Sequence, residues 1–141
     1  MFLRFAYSPS FETGWAVGVQ IDVQTVVGSD KEEINGGFVF CASLKRDAYV
    51  RSLELLQLLP GTATPSELEQ DEVDAVIAAC SKVVLTPSTY PWASVDGALS
   101  TLSICAGDSS LSAEWNGGYS SEWKGLEELC KLIREIYNKH H

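Results

Sequence analysis

Histidine is almost absent from this sequence of 141 residues, since its only two copies, His140 and His141, occupy the last two positions. Histidine is the side chain most often used for acid and base catalysis near neutral pH. We expect both copies to lie beyond the last helix, where a chain end frays. A Ser-His-Asp or Cys-His arrangement would need one of them held in a site, so the sequence predicts no catalytic residues and no enzymatic activity.

Cysteine carries no motif. The four copies, Cys41, Cys80, Cys105 and Cys130, are widely spaced and form no C-x-x-C pair. Each lies in an apolar segment, which favours a free thiol packed as a small hydrophobe. The acidic stretch from Glu67 to Glu72 lacks the glycine of a calcium loop. We therefore expect no metal and no cofactor.

Long apolar runs are missing as well, and positively charged residues are outnumbered. No stretch approaches the roughly 18–20 residues of a membrane-spanning helix, and the segment from Met1 to Pro9 shows no export signal. Asp plus Glu number 19 against 10 Lys plus Arg, which gives a formal net charge of −9. That charge disfavours nucleic acid and anionic membranes as ligands. We expect one cytoplasmic domain, residues 1–141, with no nucleic-acid or membrane partner.

Alternation of apolar and polar residues predicts a sheet. It is clearest over 15–27, where Val17, Val19 and Ile21 alternate with Gln20 and Asp22. The polar side of this strand is expected to face solvent or a partner. Further strands are predicted over 2–7, 38–44, 99–106 and 111–115, with a polar loop over 28–37.

Helical spacing appears in three segments. One covers 47–59, and the last begins near Ser120 or Ser121 and carries Trp123. The middle helix is predicted to begin with Thr64 as its N-cap, Pro65 in the first turn and Glu67 completing a capping box. The order β-β-β-α-α-β-β-α predicts an α+β fold in two layers, with a mostly antiparallel sheet and the helices packed on one face.

The charge of the middle helix is one-sided, because no cation lies between Arg51 and Lys82. On a helix, the acids there would form one exposed band opposite the apolar residues. A merely solvated face is one explanation, since early acids favour the helix dipole. Deeper acids repel one another, which favours a basic protein partner. The candidate partner-binding acids are Glu67, Glu69, Asp71, Glu72 and Asp74.

Two other surfaces are candidates. Tyr90 and Trp92 lie in a proline-rich loop, where they could anchor an interface or pack over the sheet edge. Through them the chain could act as an adaptor or a subunit. Alternatively, Asp22, Asp96 and Glu114 could converge in a pocket and serve a small-ligand enzyme.

The C-terminal part carries a resemblance. Asp96-Gly97, a short strand, the segment from Leu111 to Gly117, and a leucine-rich helix after Glu122-Trp123 resemble the C-terminal half of small immunity proteins from bacterial toxin systems. The resemblance implies an acidic, cytosolic antitoxin that binds a basic toxin domain. A nuclease toxin is favoured, because its substrate-binding surface would be basic.

Overall fold

The alternating segments of the sequence form the strands of one sheet. The computed structural model describes residues 1–8, 15–27, 29–45, 63–86, 99–116 and 122–141. In these ranges the strands are β1 (Phe2–Ser8), β2 (Trp15–Val27), β3 (Glu33–Lys45), β4 (Ser66–Glu67), β5 (Leu99–Ala106) and β6 (Ser109–Asn116). The helices are α1 (Gln70–Ser81) and α2 (Leu126–His140). The helix predicted over 47–59 lies outside the described residues.

The strands lie in the order β4-β3-β2-β1-β5-β6. Every neighbouring pair is antiparallel. β1 joins two long hairpins, β2–β3 on one side and β5–β6 on the other, which is why the N-terminal strand is central in the sheet. The predicted α+β class with an antiparallel sheet is confirmed.

One face of the sheet carries the core. Val39, Ile21, Leu3 and Ile104 form one row across four strands, as the strand register shows. Both described helices cover this face, and their buried residues join the same cluster. Each aliphatic side chain that is fully buried contributes roughly 1.5–3 kcal/mol to folding. The helical members of the cluster are Val73, Val76, Leu126, Leu129, Ile133 and Ile136.

The second face of the sheet is more polar but is not simply wet. Gln20 was expected to face solvent or a partner, yet it is only 4% exposed. Its side chain accepts a hydrogen bond from Arg4 Nε at 3.2 Å and donates one to Asp22 Oδ1 at 3.2 Å. Ala6 is fully buried on this face beside Phe40. The buried amide is satisfied because Arg4 of the neighbouring β1 donates to it and Asp22 of β2 itself accepts from it, and periodicity alone does not reveal these contacts.

The turn between β2 and β3 is shorter than predicted. The sequence suggested a loop over 28–37, but β3 begins at Glu33 and pairs with β2 as far as Val27. Lys31 takes the positive φ of 59° that the tight turn requires. Thr25 Oγ1 donates to Asn35 Oδ1 at 2.9 Å across the paired strands. The extra pairing satisfies backbone groups that a longer loop would leave to water.

The start of α1 also differs from the prediction. Thr64 does not cap it and Glu67 completes no capping box, because Ser66 and Glu67 pair with Val39 and Phe38 at the edge of the sheet. The Leu68 backbone N–H then donates to the Gly37 carbonyl at 2.9 Å. Extended backbone is stabilised here by β3, so the helix begins only at Gln70.

The start of α2 lies later than the predicted Ser120 or Ser121, since the helix begins at Leu126. Trp123 precedes the helix and donates its indole N–H to the Thr86 carbonyl at 2.9 Å. Backbone hydrogen bonds of 2.9 Å in each direction join Lys124 and Val84. This bridge holds the segment extended until Gly125. Neither described helix is long and apolar enough to cross a membrane.

Candidate functional site

The five candidate acids do not form the single band that the sequence predicted. Glu67 lies in β4 opposite Phe38, whose side of the sheet is the one that the described helices do not cover. The remaining acids lie at or within α1, on the other side. The strand pairing of residues 66–67 separates Glu67 from the others, because side chains alternate between the faces of a strand.

Glu69 and Glu72 are paired within the molecule. Lys139, in the last turn of α2, places its Nζ 3.1 Å from Glu69 Oε2 and 3.1 Å from Glu72 Oε1. The sequence offered no nearby cation to these acids, but the antiparallel packing of the helices supplies one from the far end of the chain. The Glu72 side chain is 14% exposed, whereas that of Glu69 is 70% exposed.

His140 completes what we call the histidine cluster, formed by Ser66, Glu72, Lys139 and His140. Its Nε2 lies 3.0 Å from Glu72 Oε1, and its Nδ1 lies 2.8 Å from Ser66 Oγ. Since an ionised carboxylate only accepts hydrogen bonds, Nε2 carries a proton. In the neutral ring, Nδ1 then accepts from the Ser66 hydroxyl.

This placement corrects the expectation that both histidines lie beyond the last helix. His140 is the final residue of α2 and its side chain is only 9% exposed. His141 stacks on Tyr137 with ring centroids 4.5 Å apart, and its Nε2 lies 3.3 Å from Ser43 Oγ. The chain end is held because the core residues of α2 dock its last turn beside β3, β4 and α1.

The histidine cluster also sets the protonation of its charged groups. Burial raises the pKa of the Glu72 carboxyl, but hydrogen bonds from the Glu69 backbone N–H, His140 and Lys139 outweigh burial and leave it below the ordinary value. The hydrogen bonds to Glu72 and Glu69 raise the pKa of Lys139. The carboxylate and the ammonium group therefore both stay charged at neutral pH.

Asp71 and Asp74 are the acids that remain turned outward, and we call this pair the α1 acidic surface. Both residues are exposed, and their spacing of three places them on one side of the helix. Gln70 donates to Asp74 Oδ1 at 3.0 Å. Within the described ranges, no cation forms an ion pair with either carboxylate.

Other sequence candidates are dispersed or lie elsewhere. Tyr90, Trp92 and Asp96 fall outside the described residues. Asp22 on β2 and Glu114 on β6 share a face but are separated by β1 and β5. Three strand spacings separate their strands by about 14 Å, and Glu114 lies four residues further along β6 than Ser110, which is level with Asp22, so roughly 13 Å along the strands is added. The structure therefore does not bring these two carboxylates together in a pocket.

Sequence reasoning missed Ser66, Lys139 and His140 as members of a cluster. The only sequence signal was charge at two distant positions, an acidic start of α1 and a basic end of α2. Charges at helix ends are common for dipole reasons, so this signal does not identify a contact. Among the described residues, no group of three or more His, Cys, Asp or Glu is placed to hold a metal ion.

Comparisons of the chain with models of known protein families, with curated proteins and with solved structures find no match. The structure itself defines the class as an α+β protein with a six-stranded antiparallel sheet in its described part.

Proposed function

We propose that this chain is an immunity protein that binds and neutralises a cognate bacterial toxin acting in the cytoplasm, through the α1 acidic surface. The observation that carries the proposal is the outward position of Asp71 and Asp74, unpaired within the described ranges, while Glu69 and Glu72 are paired with Lys139. Of the five acids, Glu69 and Glu72 thus form ion pairs, Glu67 lies on the other side of the sheet, and Asp71 and Asp74 are the available pair.

Electrostatics supports a basic partner. The available pair belongs to a chain with a formal net charge of −9. An acidic surface attracts a basic protein and accelerates association by roughly ten- to a thousandfold at low salt. Nucleases carry basic surfaces because they bind phosphate groups, so a nuclease is the favoured toxin. Bound at that surface, the chain would block the toxin's access to its substrate.

The arrangement of the C-terminal part is a second support. Of the segments on which the resemblance to immunity proteins depends, the strands form β5 and β6, Glu122 and Trp123 precede α2, and the leucine-rich helix is α2. Asp96, Gly97 and Gly117 lie outside the described residues. A hairpin followed by a helix occurs in unrelated proteins, so this support is weaker than the charge. The arrangement agrees with a binding role, because the helices leave one acidic surface exposed.

The test begins with co-purification of the partner from the source cell, followed by measurement of affinity at several salt concentrations. Asp71→Lys combined with Asp74→Lys should weaken binding at least tenfold at low salt, mostly through slower association, and should flatten the salt dependence. The matched control is Asp30→Lys combined with Glu32→Lys, which changes the same charge at exposed turn positions. Equal losses in the two variants would contradict the α1 acidic surface as the contact.

A second candidate function is hydrolysis of an acyl substrate, favoured by the chain of hydrogen bonds from Ser66 through His140 to Glu72. In such a reaction Ser66 Oγ would attack the carbonyl carbon and pass its proton to His140 Nδ1. His140 would return that proton to the leaving group, and water would then release the acyl group from Ser66. Glu72 would stabilise the protonated ring.

Labelling with a fluorophosphonate and hydrolysis of p-nitrophenyl acetate test this candidate. Both should disappear in Ser66→Ala. Ser43→Ala is the matched control. Ser43 also contacts a histidine, His141, but in the described contacts no carboxylate binds the ring of His141. An unlabelled wild-type protein without turnover would leave the histidine cluster a purely structural connection between α1, β4 and α2.

A further inference from the structure

The two edges of the sheet are built differently. At one edge, β4 has only two residues, Ser66 and Glu67. At the other edge, β6 runs for eight residues, from Ser109 to Asn116. In the part of the chain that the structure describes, β6 pairs with β5 and with no other strand. The outer side of β6 is therefore an edge of the sheet in this part.

Natural sheets protect such an edge with lysine, proline, a bulge or a very short strand. β6 contains no lysine and no proline. Its register with β5 is unbroken from Leu99↔Asn116 to Ala106↔Ser109, so it has no bulge. The only charged residue of β6 is Glu114. β4 meets the requirement by its shortness, whereas among the devices that the sequence and the described residues show, β6 has only this single charge.

We propose that β6 pairs antiparallel with β6 of a second copy of this chain, so that two sheets join into one continuous sheet across a two-fold axis. A two-fold axis perpendicular to the sheet places one residue opposite its own copy. In the first possible register, the segments Ser109–Trp115 of the two copies pair, and the central residue is Ser112. In the second, the segments Ser110–Asn116 pair, and the central residue is Ala113.

Both registers suit self-association. Glu114 faces Ser110 of the second copy in the first register and Ser112 of the second copy in the second register, so like charges are never opposite. Ser110, Ser112 and Glu114 are exposed and lie on one face, and the half-buried Leu111 and the buried Ala113 lie on the other. In each register, Ser110, Ser112 and Glu114 meet polar residues. On the core face, Ser109 lies opposite Trp115 in the first register, whereas Leu111 lies opposite Trp115 in the second.

Opposite salt dependence separates this inference from the proposed toxin binding. Two copies of a chain with a net charge of −9 repel each other, so added salt should strengthen the dimer. Salt should weaken a complex with a basic partner. The two proposals can therefore fail independently.

The test is sedimentation equilibrium of the full chain over a range of micromolar concentrations. Ser110→Glu combined with Ser112→Glu places like charges opposite Glu114 in either register and should raise the dimer dissociation constant about tenfold. The corresponding double Lys variant should lower it. The matched controls, Gln24 and Ser29 changed together to Glu or to Lys, alter the same charge at exposed sites outside β6 and should shift the constant less.

Amide hydrogen exchange of the unmodified chain is the second measurement, because it does not depend on how the variants fold. Exchange in β6 should slow as protein concentration rises, while exchange in the exposed turn near Lys31 should not change. A protein that stays monomeric, or a dimer equally sensitive to the β6 and control variants, would overturn the proposal. If this edge instead binds a strand of a different protein, this chain should be monomeric until that protein is added.

Discussion

At the scale of single residues, two glycines fix how closely elements approach. A Cβ on Gly37 would lie 3.1 Å from the Asp22 carbonyl oxygen and 3.2 Å from Val73 Cγ2. Gly37 therefore allows α1 to lie directly on β3. The neighbouring Gly36 has open space around the same position, with nothing within 4 Å.

We predict that Gly37→Ala destabilises the fold by roughly 1–3 kcal/mol, because the added methyl group overpacks the contact between β3 and α1. Gly36→Ala should be neutral or slightly stabilising, since alanine costs less backbone entropy in a strand. Urea unfolding of both variants measures the difference. Similar effects at the two positions would contradict the close approach of α1.

Gly125 combines two constraints at the start of α2. Its φ is +75°, and a Cβ there would lie 2.5 Å from the Lys82 carbonyl oxygen. Gly107, in the β5–β6 turn, has a φ of +59° with nothing within 4 Å. Substitutions at Gly107 and at Gly125 can therefore be compared to separate the cost of a left-handed backbone from the cost of a backbone clash.

We predict that Gly107→Ala costs about 1–2 kcal/mol, the usual penalty of the left-handed region. Gly125→Ala should cost several kcal/mol more than that or prevent folding, because the clash is with backbone and cannot be relieved by a side-chain rotation. Thermal unfolding followed by circular dichroism compares the two. Equal costs would show that the bridge between Val84 and Lys124 does not constrain Gly125.

At the scale of elements, the histidine cluster connects the end of α2 to the start of α1. Lys139 and His140 bind Glu72, and His140 reaches Ser66 on β4. The core residues of α2 determine that its last turn lies there, and the polar contacts then fix the end. The same contacts explain why only part of the acidic sequence remains available to a partner.

The free energy of unfolding at acidic pH tests this connection. The folded pKa of Glu72 lies below its ordinary value of 4.5, so the carboxylate contributes stability above that value. The contribution is lost as pH falls through the folded pKa. We predict that Glu72→Gln loses less stability than the wild-type protein between about pH 5 and pH 3. Asp71→Asn removes a carboxylate outside the histidine cluster and should retain the wild-type decline in urea unfolding.

At the scale of the whole molecule, the four cysteines are free thiols spread over β3, α1, β5 and α2. All are half-buried, in agreement with the prediction of packed, unpaired thiols. Burial raises the pKa of Cys41, Cys80 and Cys130 to about 11, from an ordinary value of 9.0. The fold therefore favours their neutral form.

An alkaline decline in stability follows from these thiols. Because their folded pKa is raised, their contribution is complete below about pH 9 and is lost as pH rises toward 11, by at most about 1.4 kcal/mol per pH unit for each thiol. We predict that changing all three to alanine flattens the decline of the free energy of unfolding above pH 9. The comparison is made in a Lys139→Met background, since the raised pKa of Lys139 also lowers stability at alkaline pH. An unchanged slope would contradict the burial of the thiols.

Much of the fold was predictable because its signals are local. Alternation in β2 and a turn after β5 depend on neighbouring residues. The turn was predicted over 107–110, but β6 begins at Ser109, because Ser109 and Ser110 pair with Ala106 and Cys105. The apolar spacing of Leu126, Leu129 and Ile133 likewise marks α2 without knowledge of its neighbours. Element ends were less predictable, since pairing of β3 with β4 decides where α1 begins and pairing of β3 with β2 decides where β3 begins.

Of the candidate site, only its acidic composition could be predicted. The sequence by itself determined that the chain is acidic, that α1 carries most of a cation-free acidic stretch and that the fold is an antiparallel α+β domain. Only the tertiary structure decided that Lys139 and His140 bind Glu72, that Glu67 lies on the other side of the sheet, and that Asp71 and Asp74 remain outward. The physical reason is that ion pairs and buried hydrogen bonds join residues far apart in sequence, and packing of the core brings those residues together.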